Sequence, residues 1–347
     1  MKKTLKRNSA VELLRIISMI LIIAQHYVYH GGYDRSVFLN TTANIVYLKI
    51  LSVFGYSACT VFALITGYYL IKADTKKGFY QRLIPLIAQT LFYSVAIALI
   101  VYLTKLVPVS TKELIKQFLS PFYGNWYAVF YILTFLFVPF INPFLISLSK
   151  EDYRKMLMIM MIVFIGIQSV LGDVYALSNF DFMLISYFTG AYVRLYEEDF
   201  RYDNRINLLI TVVLFAGIAA SIPVMDLLGK IIGSTKFVEN DTFMVRWNII
   251  PSFALSLFAF LYAVRKDFSC SFINVISSAV LGIYLIHDGL LKSLIWEKIS
   301  PNVDFVDNPY LHSIIKILAV FAVCSLIDLI RQKLLETPFL KLIDKRK

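Results

Sequence analysis

The chain contains few charged residues and few cysteines for its length. Only 16% of its 347 residues are Asp, Glu, Lys or Arg, whereas 59% are hydrophobic, and the mean hydropathy is +0.70. A soluble domain of this size does not need so much apolar surface, so the composition predicts an all-α polytopic integral membrane protein. Cys59, Cys270 and Cys324 are scattered and form no CxxC pair, which argues against a disulfide framework and a structural zinc site.

The sequence also lacks internal repeats, low-complexity tracts and a recognisable soluble segment. We therefore expect one transmembrane domain over residues 1–347, without a soluble extracellular domain. Lys2, Lys3 and Arg7 precede an apolar run, as in a secretory signal. That run is too long for a signal, carries Glu12 and Arg15, and has no small-residue cleavage site, so it predicts an uncleaved first span.

Apolar windows of about 20 residues predict about ten membrane-spanning helices. The windows cover residues 11–30, 50–71, 83–103, 126–148, 156–171, 182–196, 206–228, 247–264, 277–295 and 311–330.

A net charge of +11 is compatible with nucleic-acid binding, but the cations lie in short turns between the apolar windows. This distribution is typical of membrane orientation, and it places both termini and the cation-rich turns in the cytoplasm. Between two of the windows, residues 109–120 alternate apolar and charged side chains. There Ser110 and Glu113 have the spacing of a helix start, which predicts a short helix on the membrane surface.

The first window carries ionisable residues on one helical face. His26 follows Arg15 by eleven positions, which is about 16 Å along a helix and within about 20° of the same direction. The face comprises Glu12, Arg15, Met19, Ile22, Ile23, His26 and His30. Ionisable groups at membrane depth usually mark a substrate or proton path, and His26 has the side chain best suited to a general base near neutral pH. The alternative is that Arg15 reaches the lipid headgroups and His26 bonds to a neighbouring helix.

The Arg-x10-His spacing in a first span resembles the membrane-bound acyltransferase-3 family, whose members O-acylate cell-surface sugars. Four more segments resemble motifs of that family: VFALITGYYL at 61–70, FYQRLIP at 79–85, NWY at 125–127 and IYLIH at 283–287. Two details differ, because Thr66 stands where Ser is common, and only Lys76 and Lys77 lie where many members have a further Arg. The resemblance covers essentially the whole chain.

The resemblance implies an O-acetyltransferase of the bacterial plasma membrane. Acetyl-CoA, as a substrate and not a bound cofactor, would donate from the cytoplasm to a sugar hydroxyl of a polysaccharide or its lipid-linked precursor. No metal or nucleic acid is implied. His26 and Arg15 are the predicted catalytic residues, and the predicted donor- and acceptor-binding residues are Glu12, Arg82, Trp126, Tyr284 and His287.

Several of these residues also have simpler structural interpretations. Arg82 can anchor the helix that Pro85 starts, His287 can be a buried histidine bonded to a neighbouring helix, and Trp126 can lie in an interfacial aromatic belt. Gly67 and Gly190 are typical of close helix packing. Asp328 and Arg331, three residues apart, predict a helical ion pair.

Two other functions remain open at this point. A polysaccharide transporter or flippase would also contain buried charges, although such proteins often show repeats and broken helices that this sequence lacks. A membrane sensor or structural subunit is the third possibility, and no signalling domain supports it.

Overall fold

The protein is an all-helical bundle. The structure, a computed structural model, describes residues 7–33, 38–72, 79–120, 124–172, 179–246, 248–299, 301 and 305–338. Helix accounts for 82% of the chain, and the described ranges contain no strand. The predicted all-α class is therefore confirmed.

Fifteen α-helices occur in the described part of the chain. They are α1 Ser9–His30, α2 Ala43–Val53, α3 Gly55–Leu70, α4 Phe79–Thr104, α5 Thr111–Gln117, α6 Trp126–Ser147, α7 Lys150–Met161, α8 Ile167–Leu171, α9 Asn179–Leu195, α10 Asn204–Ile232, α11 Thr235–Glu239, α12 Ile250–Val264, α13 Ser271–Ser278, α14 Val280–His287 and α15 Pro309–Arg331. Single π-helical turns at Ile162–Gly166 and Gln332–Glu336 extend α7 and α15.

Seven helical segments are long and apolar enough to cross a membrane. They are Ser9–His30, Ala43–Leu70, Arg82–Thr104, Trp126–Ser147, Lys150–Leu171, Asn204–Ile232 and Pro309–Glu336. The other three predicted windows correspond to α9, α12 and the pair α13–α14, whose helices have at most 17 residues. A straight span needs about 20 residues, so the count of ten stays a prediction and the observed number of full-length candidates is seven.

The second span is longer than its predicted window and is broken at Phe54, between α2 and α3. Gly55 follows the break and lies against Gln25 of α1, because a Cβ at Gly55 would be 2.4 Å from the Gln25 side-chain oxygen. Hydropathy reports neither the break nor the close approach, which depends on a neighbour 30 positions earlier in the chain.

Two glycines allow α3 and α9 to pack backbone to backbone. A Cβ at Gly67 would lie 2.0 Å from the carbonyl oxygen of Tyr187, and a Cβ at Gly190 would lie 2.0 Å from that of Leu64. The predicted packing role of both glycines is confirmed.

Helix α1 lies at the centre of the bundle and contacts α2, α3, α12, α13, α14 and α15. Asn8 caps its start by accepting a hydrogen bond from the Ala10 amide. The central position explains why Ile23 and Tyr27 are completely buried, and it directs the ionisable face of the helix toward the interior.

The predicted ion pair of α15 is also confirmed. Arg331 Nε lies 2.8 Å from Asp328 Oδ1, and Asp328 is fully buried and accepts further hydrogen bonds from Gln89, Tyr93 and Gln332. Four donors satisfy a carboxylate that would be costly to bury alone.

A second buried ion cluster was not predicted. Lys49 of α2 is 3% exposed, and its Nζ lies 3.0 Å from Asp226 of α10 and also contacts Asp241. Burial raises the pKa of Asp241, whereas the Lys49 ammonium acts in the opposite direction. The cluster ties the turn after α11 to α2 and α10.

The predicted short helix between the third and fourth spans is confirmed as α5. Ser110 and Glu113 form a capping box, with the Ser110 hydroxyl accepting from the Glu113 amide and the Glu113 carboxylate accepting from the Ser110 amide. The hydrogen bonds from Ser110 hold the pKa of Glu113 below its usual value. Its location on the membrane surface stays a prediction.

Candidate active site

A cavity of about 750 Å³ lies beside α1 and is lined by side chains of α1, α3, α4, α6 and α14. Arg7, Arg15 and Arg82 line one part of it, and His26 and His30 line another. Because Arg15 and His30 are fifteen residues apart on one helix, the cavity extends about 22 Å along α1. Such a length covers most of the apolar thickness of a bilayer.

The predicted face of α1 is largely confirmed as a cavity wall. Arg15, Met19, Ile22, His26 and His30 all line the cavity. Ile23 does not line it. Ile23 follows Ile22 by one residue, which rotates its side chain about 100° around the helix axis and into the apolar core.

Glu12 belongs to the predicted face but does not line the cavity. Its carboxylate lies 3.0 Å from Arg15 Nη1 and 3.3 Å from Arg7 Nε, and it accepts a hydrogen bond from the Ser277 hydroxyl of α13. Three donors therefore hold Glu12, and Glu12 in turn fixes the position of the Arg15 guanidinium at the cavity wall.

Arg15 of α1 and Arg82 of α4 make the part of the cavity that they line electropositive. The Arg82 side chain is exposed, and no acidic residue within the described ranges forms an ion pair with it. Glu336 contributes a carboxylate to the same lining, but it is engaged by Arg331 at 2.7 Å. Lys76 and Lys77 lie outside the described residues. The guanidinium of Arg82 is thus available to an anionic group that enters the cavity.

His26 lies in a partly polar environment deeper in the bundle. Its Nδ1 is buried and lacks a hydrogen-bond partner among the described residues, and the Oδ1 atom of Asp288 lies 3.8 Å away. The ring centroids of His30 and His287 lie 5.2 Å and 5.0 Å from that of His26. A small shift of either side chain would bring the Asp288 carboxylate into hydrogen-bonding range of the imidazole.

His287 is completely buried and is not part of the cavity lining. Its Nδ1 lies 2.6 Å from the Ile283 carbonyl oxygen, which as an acceptor requires a proton on that nitrogen. The structure therefore places His287 behind His26, next to Trp296, rather than at the cavity surface.

An aromatic wall closes the cavity near His26. Trp126 and Tyr127 begin α6, and Tyr284 lies on α14. The Tyr284 hydroxyl accepts a hydrogen bond from the Tyr127 amide at 3.3 Å, and the Tyr127 hydroxyl donates to the Cys59 carbonyl oxygen at 3.3 Å. These side chains face the interior of the bundle, so Trp126 does not have the lipid-facing position of a belt residue.

Asp288 belongs to the site but is not among the predicted site residues. It ends α14 directly after His287, and its carboxylate lies between His26 and Lys292, which is 3.7 Å from Asp288 Oδ1. An acidic residue inside the predicted window 277–295 was a usable signal. Its proximity to His26 was not predictable from local sequence, because the two residues are 262 positions apart.

The site thus combines a cationic part, a buried imidazole beside a carboxylate, and an aromatic wall in one cavity that crosses most of the bundle. No curated protein and no solved structure matches the chain significantly. The family model described as an acyltransferase domain, that of the acyltransferase-3 family, matches residues 8–329. The match includes every residue of the site except Arg7 and Glu336. The chain is a multi-pass membrane protein that belongs to the acyltransferase-3 family.

Proposed function

We propose that the protein is an O-acetyltransferase that moves an acetyl group from acetyl-CoA to a sugar hydroxyl of a cell-surface polysaccharide or its lipid-linked precursor. We place it in a bacterial plasma membrane, with the donor entering from the cytoplasm. The observation that carries the proposal is the cavity that joins Arg15 and Arg82 to His26. Membership of an acyltransferase family supports the reaction type.

The donor would bind at the cationic part of the cavity. Coenzyme A carries several phosphates on a long flexible arm, and guanidinium groups bind phosphates with paired hydrogen bonds. Arg15 is held in position by Glu12, whereas Arg82 is exposed and free of acidic partners among the described residues. With the phosphates at these arginines, the pantetheine arm extends along α1 toward His26, about 16 Å away.

His26 would act as the general base. The acceptor hydroxyl oxygen attacks the thioester carbonyl carbon while its proton passes to Nε2 of His26, because Nδ1 faces Asp288. The tetrahedral intermediate then collapses, the carbon–sulfur bond breaks, and the leaving thiolate takes the proton back from His26. Asp288 would orient the imidazole and stabilise its protonated form, as carboxylates do beside catalytic histidines.

The acceptor would lie against the aromatic wall. Sugar rings present C–H faces that pack on aromatic rings, and Trp126 and Tyr127 line the same cavity as His26. In a relayed version of the reaction the acetyl group would first be carried by His26. No observation favours the transporter alternative.

The test uses the purified protein in lipid nanodiscs with acetyl-CoA and a panel of sugar and lipid-linked sugar acceptors. We expect acceptor-dependent release of CoA and a matching acetylated product by mass spectrometry. His26→Ala should lower the rate at least about 100-fold, because general-base catalysis supplies about 10²–10⁴-fold.

His312→Ala is the matched control, since His312 lies outside the cavity, stacks on Phe305 and pairs with the Tyr27 hydroxyl. It should retain most of the activity at equal protein abundance. In cells, loss of the gene should remove O-acetyl signals from the NMR spectrum of the surface polysaccharide. Wild-type activity in His26→Ala would refute the catalytic assignment, and unchanged polysaccharide would refute the acceptor class.

A further inference from the structure

Three metal-ligating side chains converge at the His30 part of the cavity. His26 and His30 are four residues apart on α1, so both rings lie on one face of the helix. Asp288 approaches from the end of α14, and one potential ligand atom from each residue lies within 4.8 Å of the other two. The buried Nδ1 of His26 lies 3.8 Å from Asp288 Oδ1 and has no hydrogen-bond partner among the described residues, so it is free to bind a metal ion.

The chemistry of this set matches a transition-metal ion. Two histidines at i and i+4 on a helix plus a carboxylate are a common way to bind Zn²⁺, with a fourth position left open. Here the open position would face the cavity, because His26 and His30 both line it. Metal–ligand bonds of about 2.0–2.1 Å place tetrahedral ligand atoms about 3.4 Å apart, so closing the site needs side-chain movements of about 1 Å.

Lys292 is the main opposing group. Its ammonium lies 3.7 Å from Asp288 Oδ1 and would repel a cation at this position. Its side chain is 40% exposed, so it can move toward solvent when a metal ion arrives. Removal of this charge should therefore strengthen metal binding.

We propose that His26, His30 and Asp288 form a binding site for a divalent transition-metal ion of the Zn²⁺ class, and that the bound ion inhibits the protein. Metal binding by itself is independent of the reaction, whereas the inhibition rests on the proposed function. A metal ion on Nδ1 of His26 keeps the imidazole proton on Nε2, so the ring has no lone pair left to accept the proton of the acceptor hydroxyl. Mg²⁺ and Ca²⁺ should not compete, because they prefer oxygen ligands.

The binding test uses metal-free purified protein in nanodiscs after removal of any histidine tag. Co²⁺ serves as the spectroscopic probe, and Zn²⁺ competes for the same site. We expect one equivalent of Co²⁺ to produce a visible absorption band that Zn²⁺ removes. His30→Ala and Asp288→Asn should each weaken Zn²⁺ binding at least tenfold, whereas His312→Ala should bind as the wild type does. Lys292→Met should bind Zn²⁺ severalfold more tightly.

The inhibition test measures acetyl transfer against Zn²⁺ concentration, with a chelator added at the end. We expect reversible inhibition in the wild type. The test does not depend on how much activity remains in the His30→Ala variant. Half-inhibition of that activity should require a Zn²⁺ concentration at least tenfold higher than in the wild type. A chelator that lowers the activity of the untreated protein would overturn the inhibitory role.

Equal Zn²⁺ affinity of the wild type, His30→Ala and His312→Ala would overturn the metal site while leaving the transferase proposal intact. The opposite outcome is also possible: His30→Ala loses Zn²⁺ binding, but the wild type transfers acetyl groups to none of the acceptors. That outcome would support the metal site and refute the proposed function.

Discussion

At the scale of single residues, the site depends on pairs that join distant parts of the sequence. Glu12 orients Arg15 within one helix, but Asp288 reaches His26 from α14. Each pair leads to a separate prediction, because Glu12 contacts the arginine that we propose binds the donor and Asp288 lies beside the imidazole that we propose acts as the base.

Replacement of the Asp288 carboxylate should slow the chemical step. We expect Asp288→Asn to lower kcat by roughly 10- to 100-fold with little change in KM for acetyl-CoA, because it removes orientation and charge stabilisation of His26 but no donor contact. Steady-state kinetics on purified protein measure the split. Asp307→Asn is the control, since Asp307 is exposed and its carboxylate forms none of the contacts of the site. A change confined to KM would exclude a positioning role for Asp288.

Substitutions at the two arginines should affect the donor. Arg15→Lys keeps the charge but loses the planar fork, so we expect the KM for acetyl-CoA to rise about tenfold, and Arg15→Ala should lose nearly all transfer. Arg82→Ala should mainly raise the KM. Arg205→Ala, an exposed cation on α10 outside the cavity lining, should leave it unchanged. Unchanged donor affinity in both Arg15→Ala and Arg82→Ala would mean that Arg15 only pairs with Glu12 and does not bind the donor.

At the scale of helices, the position of the cavity wall depends on close packing between helices and not on the length of any one helix. Helix α3 lines the cavity on one face and lies against α9 on the other through Gly67 and Gly190. Because the two backbones are in close contact at these glycines, α3 cannot move outward or inward without loss of the packing between the two helices.

A methyl group at Gly190 should therefore destabilise the bundle. The Cβ would lie 2.0 Å from the Leu64 carbonyl oxygen, which belongs to a helix backbone, and overpacking of this kind costs about 1–3 kcal/mol or more. We expect Gly190→Ala to lower the midpoint of thermal unfolding in detergent by several degrees. Gly217→Ala is the matched control on exposed α10, where no atom lies within 4 Å of the added Cβ, and it should be neutral or slightly stabilising. Equal midpoints for the two variants would contradict the packing assignment.

At the scale of the whole molecule, the distribution of cations predicts the orientation in the membrane. Cytoplasmic termini would place Arg15 and Arg82 on the side from which we propose that acetyl-CoA enters, and His30 toward the opposite side. Reporter fusions at Lys347 and within residues 173–181, between two of the predicted windows, should report opposite compartments. Two fusions on the same side would contradict the orientation and, with it, cytoplasmic entry of the donor.

The sequence by itself determined the features that depend on composition and local periodicity. An excess of apolar residues requires a helical membrane protein, the 3.6-residue period places Arg15 and His26 on one face, and the Ser110–Glu113 spacing produces a helix cap. These are local properties, because each involves residues within a few helical turns of one another.

Tertiary structure alone decided which faces meet. The approach of Asp288 to His26 and the burial of Lys49 between Asp226 and Asp241 both join residues from distant parts of the chain. The break at Phe54 likewise accompanies the contact of Gly55 with Gln25 of α1. The location of His287 behind the cavity wall has the same origin. Hydropathy reports how apolar a segment is but not which side chains of other helices it contacts, and those contacts determine the shape and charge of the cavity.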